Sequence, residues 1–410
     1  MAAGLVQMTS CAKENFVNPV PTNVISDLTA FDSKDRVEGQ VRAIYASIKN
    51  SGMYGGRYQI FNDIRGEDFM NERTNVVTGF DVWNYTPSNS STNSVQNHWS
   101  RAYYVINLTN VFLEGMTAKG TAVVGTPLSN NYQAEARLLR ALSYYSLLQL
   151  YARPFWDGNG SKPGVPMRLK GNTGSDDYAK ARATVAEVYT QILADLDFAE
   201  TNLPASYSTA LNNTIRAHKN TAIALKTRVY LSMGRFANVI TEANKIVSSA
   251  APYTAPTGVA HALQSDVTNV FKAPYTTSES IFSMPFASNE TPGGQNQLGY
   301  YYGPAAFNGG NGEYSLLPTG IIANTGWKAT DRRRTMVAVF GGKSYLTKYS
   351  VPSIFTDYAP VIRYAEVLLS LAEARVRSTN TVDAQAIALL NAVRSRSDAS
   401  TVFTAADFAN

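Results

Sequence analysis

Residues 132–154, YQAEARLLRALSYYSLLQLYARP, decide how the rest of the chain must fold. Apolar side chains recur at Ala134, Leu138, Ala141, Leu142, Tyr145, Leu148 and Ala152. This three-then-four spacing marks one face of a helix of about six turns. Pro154 ends it, because the residue before a proline is pushed out of helical geometry. Glu135, Arg137 and Arg140 sit in the first two turns, and Tyr144, Tyr145 and Tyr151 ring the far half. A helix this apolar and aromatic cannot lie alone on a surface, so helices are expected on more than one side of it.

Outward from that stretch, helical periodicity returns in pairs: 35–50 with 95–114, 132–152 with 184–202, 220–232 with 236–248, and 360–377 with 382–396. Thr184 followed by Glu187 is a capping box at the start of its helix. Met233-Gly234-Arg235 breaks the third pair, which with its entry has the small-aromatic-glycine rhythm of a tetratricopeptide hairpin, about 34 residues long. The expected fold is mostly α, a tetratricopeptide-like scaffold of helical hairpins carrying a large irregular, loop-rich lobe. Residues 1–11 read as a leader ending in Cys11, 12–34 as an extended segment and 35–410 as one domain. Within that domain 53–94 and 250–359 are rich in Gly, Asn and aromatic residues and poor in period. Both are expected to be long loops, with a few short strands in the second. Residues 155–174 form a further loop, with Val165-Pro166 a short strand.

Only 16% of residues are charged, and the formal charge of +5 is spread along the chain. No basic stripe of the kind that displaces counterions from nucleic acid is present. Cys11 is the single cysteine, which excludes an internal disulfide and a cysteine-built metal site. No apolar run approaches the roughly 20 residues of a membrane span. Catalytic signatures are absent: there is no H-E-x-x-H, no G-x-S-x-G and no Walker loop. His98, His218 and His261 share no ligand spacing, and Gly309-Gly310-Asn311-Gly312 does not join a strand to a helix. No enzyme, cofactor or metal is therefore expected.

What remains is binding. Carbohydrate sites set flat aromatic faces against the apolar side of a sugar ring and surround its hydroxyls with amides and charged groups. Two loop stretches have that composition. The first carries Tyr58, Arg65, Arg73, Trp83 and Tyr85; the second carries Gln295, Asn296, Tyr300, Tyr301, Tyr302, Asn308, Asn311 and Trp327. Binding residues concentrate in loops of this sort.

The string E-A-R-x-x-R-A-x-x-Y-x-x-L-x-x-x-Y-x-x-P from Glu135 to Pro154 resembles the central helix of the SusD/RagB family of outer-surface nutrient-binding lipoproteins. Further resemblances follow in the family's order. Val188, Tyr189, Ile192, Asp195 and Leu196 match its T-x-x-E-V-Y-x-x-I-x-x-D-L helix, and 222–231 its A-x-A-L-x-x-R-V-Y-L helix. Asp331-Arg332-Arg333, Lys348-Tyr349, the P-V-I-R-Y-A-E string from Pro360, and Leu390-Asn391 with Arg394 and Arg396 complete the set. The resemblance covers roughly 11–397. The family's helix of the form E-R-x-x-E-L-x-x-E-G-x-R does not follow, so the C-terminal part of the family is expected to be missing from this sequence.

The resemblance implies a cell-surface lipoprotein, lipid-attached through Cys11 to the outer membrane. It would capture an oligosaccharide and pass it to a SusC-like TonB-dependent transporter. Two alternatives stay open at this point: an oligopeptide as ligand, and a tetratricopeptide-like protein-docking module without a small-molecule ligand.

Overall fold

In a computed structural model the structure describes residues 29–174, 178–291 and 297–408. The principal helices among them are α1 (Lys34–Ile48), α2 (Arg57–Ile64), α3 (Val95–Gly115), α4 (Thr126–Tyr151), α5 (Val185–Asn202), α6 (Lys219–Ser232), α7 (Phe236–Ala243), α8 (Tyr364–Thr379) and α9 (Ala384–Ser395). The strands are β1 (Phe69–Asn71), β2 (Pro163–Pro166), β3 (Arg182–Thr184), β4 (Ser280–Met284), β5 (Tyr314–Leu316), β6 (Val337–Phe340), β7 (Lys343–Leu346) and β8 (Ala359–Arg363).

α4 is the organising element, as its sequence requires. It starts earlier than the apolar stripe, with a proline in its first turn, where the missing N–H costs nothing. From Ala134 to Leu148 every residue but Arg137 is buried, so this helix is covered all round. α3 and α5 pack on it directly, and α1 reaches it as well. Around this centre the expected pairs α1/α3, α4/α5, α6/α7 and α8/α9 all form, and α5/α6 and α7/α8 contacts join one pair to the next. The result is the helical tetratricopeptide-like scaffold. Each leucine of α4 taken out of water contributes about 1.5–3 kcal/mol.

The charged residues in the middle turns of α4 are internal ties. Arg140 donates two hydrogen bonds to Asp195 on α5, at 2.8 and 2.6 Å, and a third to Asn110 on α3 at 2.7 Å. Arg137 lies 3.5 Å from the same carboxylate, its guanidinium 4.4 Å over the Phe198 ring. Glu135 is fully buried and accepts from Arg216 at 3.0 and 2.7 Å and from Tyr45 at 2.7 Å. Buried charges persist only when paired in this way. The tyrosines extend the ties: Tyr144 Oη donates to the Arg168 carbonyl, and Tyr151 Oη to the Val95 carbonyl.

Two stretches differ from the sequence reading. Residues 53–94 are not all loop; they hold α2 and a short helix, Phe80–Trp83. α2 spans eight residues, RYQIFNDI, too few for a periodic signal to stand out. At the other end of the chain, 360–377 does not begin as helix. Its opening residues belong to β8, which pairs antiparallel with β4, and α8 starts only at Tyr364. The lobe between them holds the expected short strands. β6 and β7 form a hairpin closed by Gly341 and Gly342, whose φ values of 55° and 79° are those a two-residue turn demands. β1 pairs with β5 from Phe69↔Leu316 to Asn71↔Tyr314, which joins the two aromatic-rich excursions to each other.

All three histidines are buried. Burial pushes His98 down to about 4, His218 to about 3 and His261 to about 4. His98 is typical: its Nδ1 pairs with the Gly52 carbonyl at 2.8 Å, and its ring stacks against Tyr58 and Tyr151. The unfolded chain binds these protons near pH 6.5 and the folded one does not. Stability is therefore full above pH 6.5 and falls as the pH drops toward 4, by at most about 1.4 kcal/mol per pH unit for each histidine. Urea unfolding at pH 7.5 and pH 5 is expected to show that loss, with a shallower slope in His98→Gln. A flat profile would contradict it.

Candidate ligand-binding site

Four helices, a strand and a loop converge on a hollow of about 540 Å³. α2 contributes Tyr58 and Asn62 from one face and Asp63 beside them; their four-residue spacing aligns the first two along the helix. α4 contributes Tyr145 and Gln149, again four apart, and α6 contributes Arg228 and Ser232. Strand β8 lines the hollow from Pro360 to Arg363, and Glu366 follows on α8. Lys348, Tyr349 and Phe271 close the remaining side.

The walls are fixed by their own hydrogen bonds. Tyr145 Oη and Ser232 Oγ lie 2.9 Å apart, Gln149 Nε2 donates to Tyr189 Oη at 2.9 Å, and Arg228 clamps Glu366 at 2.6 and 2.7 Å. Tyr58 packs on Tyr54 with ring centroids 4.5 Å apart, and burial holds its phenol well above the usual tyrosine range. Burial lowers the Lys348 ammonium; Asp63 opposes the shift and Arg363 adds to it.

The rim is built from residues at the end of α2. Arg65 Nη2 donates to Asn62 Oδ1 at 2.8 Å, and its Nη1 lies 3.5 Å from the Gln149 carbonyl. Tyr85 Oη in turn donates to the Arg65 carbonyl at 2.7 Å. The Tyr85 side chain is 71% exposed, and its φ of 57° is left-handed, a strained setting for an aromatic residue. Trp83 stands behind it, half-buried, its indole N–H on the Phe69 carbonyl at 2.9 Å and its ring stacked on Phe80.

Of the residues singled out in the sequence, Tyr58, Arg65 and Tyr85 come together here, with Trp83 close behind. The second stretch does not assemble as its composition suggests. Tyr301 and Tyr302 are fully buried and Asn308 nearly so. Asn308 donates to the carbonyls of Gly299 and Tyr349 and accepts from the Gly310 N–H, so its amide braces the loop. Tyr302 donates to Asp63 from behind the hollow. Tyr300 is half-buried and edge-on to Phe355. Arg73 is exposed and donates to the Asn311 carbonyl beside the β1–β5 pair. Trp327 is apart from the hollow, with the Arg334 guanidinium 4.1 Å over its ring. Gln295, Asn296 and Cys11 lie outside the described residues.

Sequence reading missed Asn62, Asp63, Gln149, Arg228, Lys348 and Arg363. The four-residue spacings in α2 and α4 were the available signal. They become informative only once it is known that the two helices face each other.

Residues 22–231 match a family model described as "Starch-binding associating with outer membrane", and 324–407 match one described as "SusD family". SusD-like protein P2 of Formosa agariphila is 24% identical over 417 residues, spanning 92% of this chain and 77% of that protein. The crystal structure of a SusD superfamily protein from Bacteroides fragilis superposes with a TM-score of 0.81 at 31% identity, over 93% of this chain and 84% of the other. Surface glycan-binding protein A from Bacteroides uniformis shares the fold at a TM-score of 0.71 and 20% identity, over 89% and 81% of the two chains. With a family model over half the chain and a structural relative above 30% identity covering most of it, the chain belongs to the SusD/RagB family.

Proposed function

We propose that this chain is a cell-surface glycan-binding protein that captures oligosaccharides in the hollow at the end of α2. The observation that carries the reading is Tyr85. It is an exposed ring held in a strained backbone setting and hydrogen-bonded to Arg65, beside a hollow lined by tyrosine, amide and charged side chains. A rigid apolar face beside hydroxyl-binding groups is what a sugar ring requires. Backbone strain kept at such a place is common where a ligand is held. Family membership and the glycan-binding name of the Bacteroides uniformis relative support the same direction.

In this reading the protein works as a binding module, not an enzyme. It hands its ligand to a SusC-like TonB-dependent transporter and is lipid-anchored to the outer membrane through Cys11. Co-purification of a TonB-dependent barrel from native membranes tests the partner.

Native affinity gels cast with a panel of polysaccharides test the ligand. Retardation is expected with at least one glycan, and Tyr85→Ala is expected to weaken it about tenfold, the size of one well-placed aromatic contact. Trp327→Ala is expected to bind as the parent does, because Arg334 already covers that ring. Capture of peptides with no retardation by any glycan would replace the sugar reading with an oligopeptide one.

A further inference from the structure

The charges that line the hollow are not balanced. Arg228, Lys348 and Arg363 face Asp63 and Glu366, three cations against two carboxylates. Local pairing leaves one of them over. Arg228 is engaged by Glu366 and by the Val361 carbonyl at 2.6 Å. Arg363 reaches Glu279 at 3.5 Å, but that carboxylate is already held by both terminal nitrogens of Arg396. Asp63 accepts the Tyr302 hydroxyl and lies beyond ion-pair distance of Lys348.

Among the described residues Lys348 makes neither an ion pair nor a hydrogen bond. Its ammonium is instead caged by rings, 5.1 Å from the centroid of Tyr349, 5.4 Å from Phe271 and 6.0 Å from Tyr302. Such faces attract a cation but cannot accept its N–H groups as an oxygen does. The ammonium keeps contact with the solvent of the hollow, where no protein oxygen among the described residues accepts from it, and an anion entering the hollow would supply that acceptor. Its lowered proton affinity agrees with that setting.

We propose that Lys348 makes this hollow selective for an acidic sugar, with the anionic group of the ligand seated against Lys348 and flanked by Arg363. Carboxylate and sulfate ester share the needed chemistry: compact, anionic, rich in acceptor oxygens. The rim amides of Asn62 and Gln149 then face the neighbouring hydroxyls. This rests on the glycan reading of the site and adds the class of glycan.

The test sets the full chain against matched polysaccharides, neutral, uronate-bearing and sulfated, on native gels and by calorimetry. Acidic ligands are expected to bind about tenfold tighter than neutral counterparts, as one charge-assisted contact allows. That preference is expected to shrink as salt rises from about 0.05 M to about 0.5 M. Whichever of the two acidic classes is retained identifies the group. In Lys348→Met, whose thioether still fills the aromatic cage, the preference is expected to collapse, and in Lys348→Arg to persist. Equal binding of neutral and acidic ligands overturns the inference and leaves glycan capture standing, as does a preference that survives Lys348→Met. Should no glycan bind while an Asp- and Glu-rich peptide binds in a Lys348-dependent way, the sugar reading falls and the anion seat stands. Retention of neither ligand class overturns both.

Discussion

Asp195→Ala is expected to destabilise the protein by about 3–5 kcal/mol, the cost of removing one partner from a buried ion pair. Asp195 has no exposure to solvent, and it is the carboxylate on which Arg140 places two of its hydrogen bonds. Without it, the Arg140 guanidinium stays at the meeting of α3, α4 and α5 with only Asn110 as acceptor, and Arg137 loses its counter-charge. Arg140 cannot reach water without opening the helix contacts, whereas Arg137 is already partly exposed. Urea unfolding followed by circular dichroism measures the loss directly. A change below about 1 kcal/mol would show that the three-helix junction relaxes around an uncompensated charge.

Tyr302→Ala is the second large effect, also expected at about 3–5 kcal/mol, as for other large aromatic side chains cut from a core. The ring is 1% exposed, stacks on Tyr349 at 6.1 Å and closes one side of the Lys348 cage. Tyr85→Ala offers the contrast, because its ring is exposed and packs little; its stability is expected to move by no more than about 0.5 kcal/mol. Paired denaturation curves of the two variants therefore separate an aromatic that supports the wall from one that stands exposed at the rim. A comparable loss in both would mean that Tyr85 packs more than its exposure suggests.

That contrast shows what sequence could and could not supply. Periodicity was enough for α4 and its partners, because long amphipathic helices carry their burial pattern in the order of their residues. The charges Glu135, Arg137 and Arg140 were visible too, but not their partners, which lie on other helices. The aromatic excursions were harder. Tyr300, Tyr301 and Tyr302 sit on a short helix, Leu298–Tyr302, where each successive side chain turns by about 100°, so neighbours in sequence point to different surroundings. Two of the three turn inward, a result that composition cannot register. Lys348 shows the same difficulty in another form. Its importance lies in an acceptor it lacks, and Asp63, Arg228 and Glu366 must be brought around it before that lack has meaning.

On the proposed function, the β1–β5 pairing bears on how a ligand is received. It zips Phe69–Asn71, just beyond the rim, to Tyr314–Leu316 in the lobe, and Glu72 continues the seam by donating its N–H to Glu313. A lobe tied down in this manner is preorganised: little conformational entropy would be left to surrender when a sugar arrives. Affinity would then derive from complementarity already present in the empty protein.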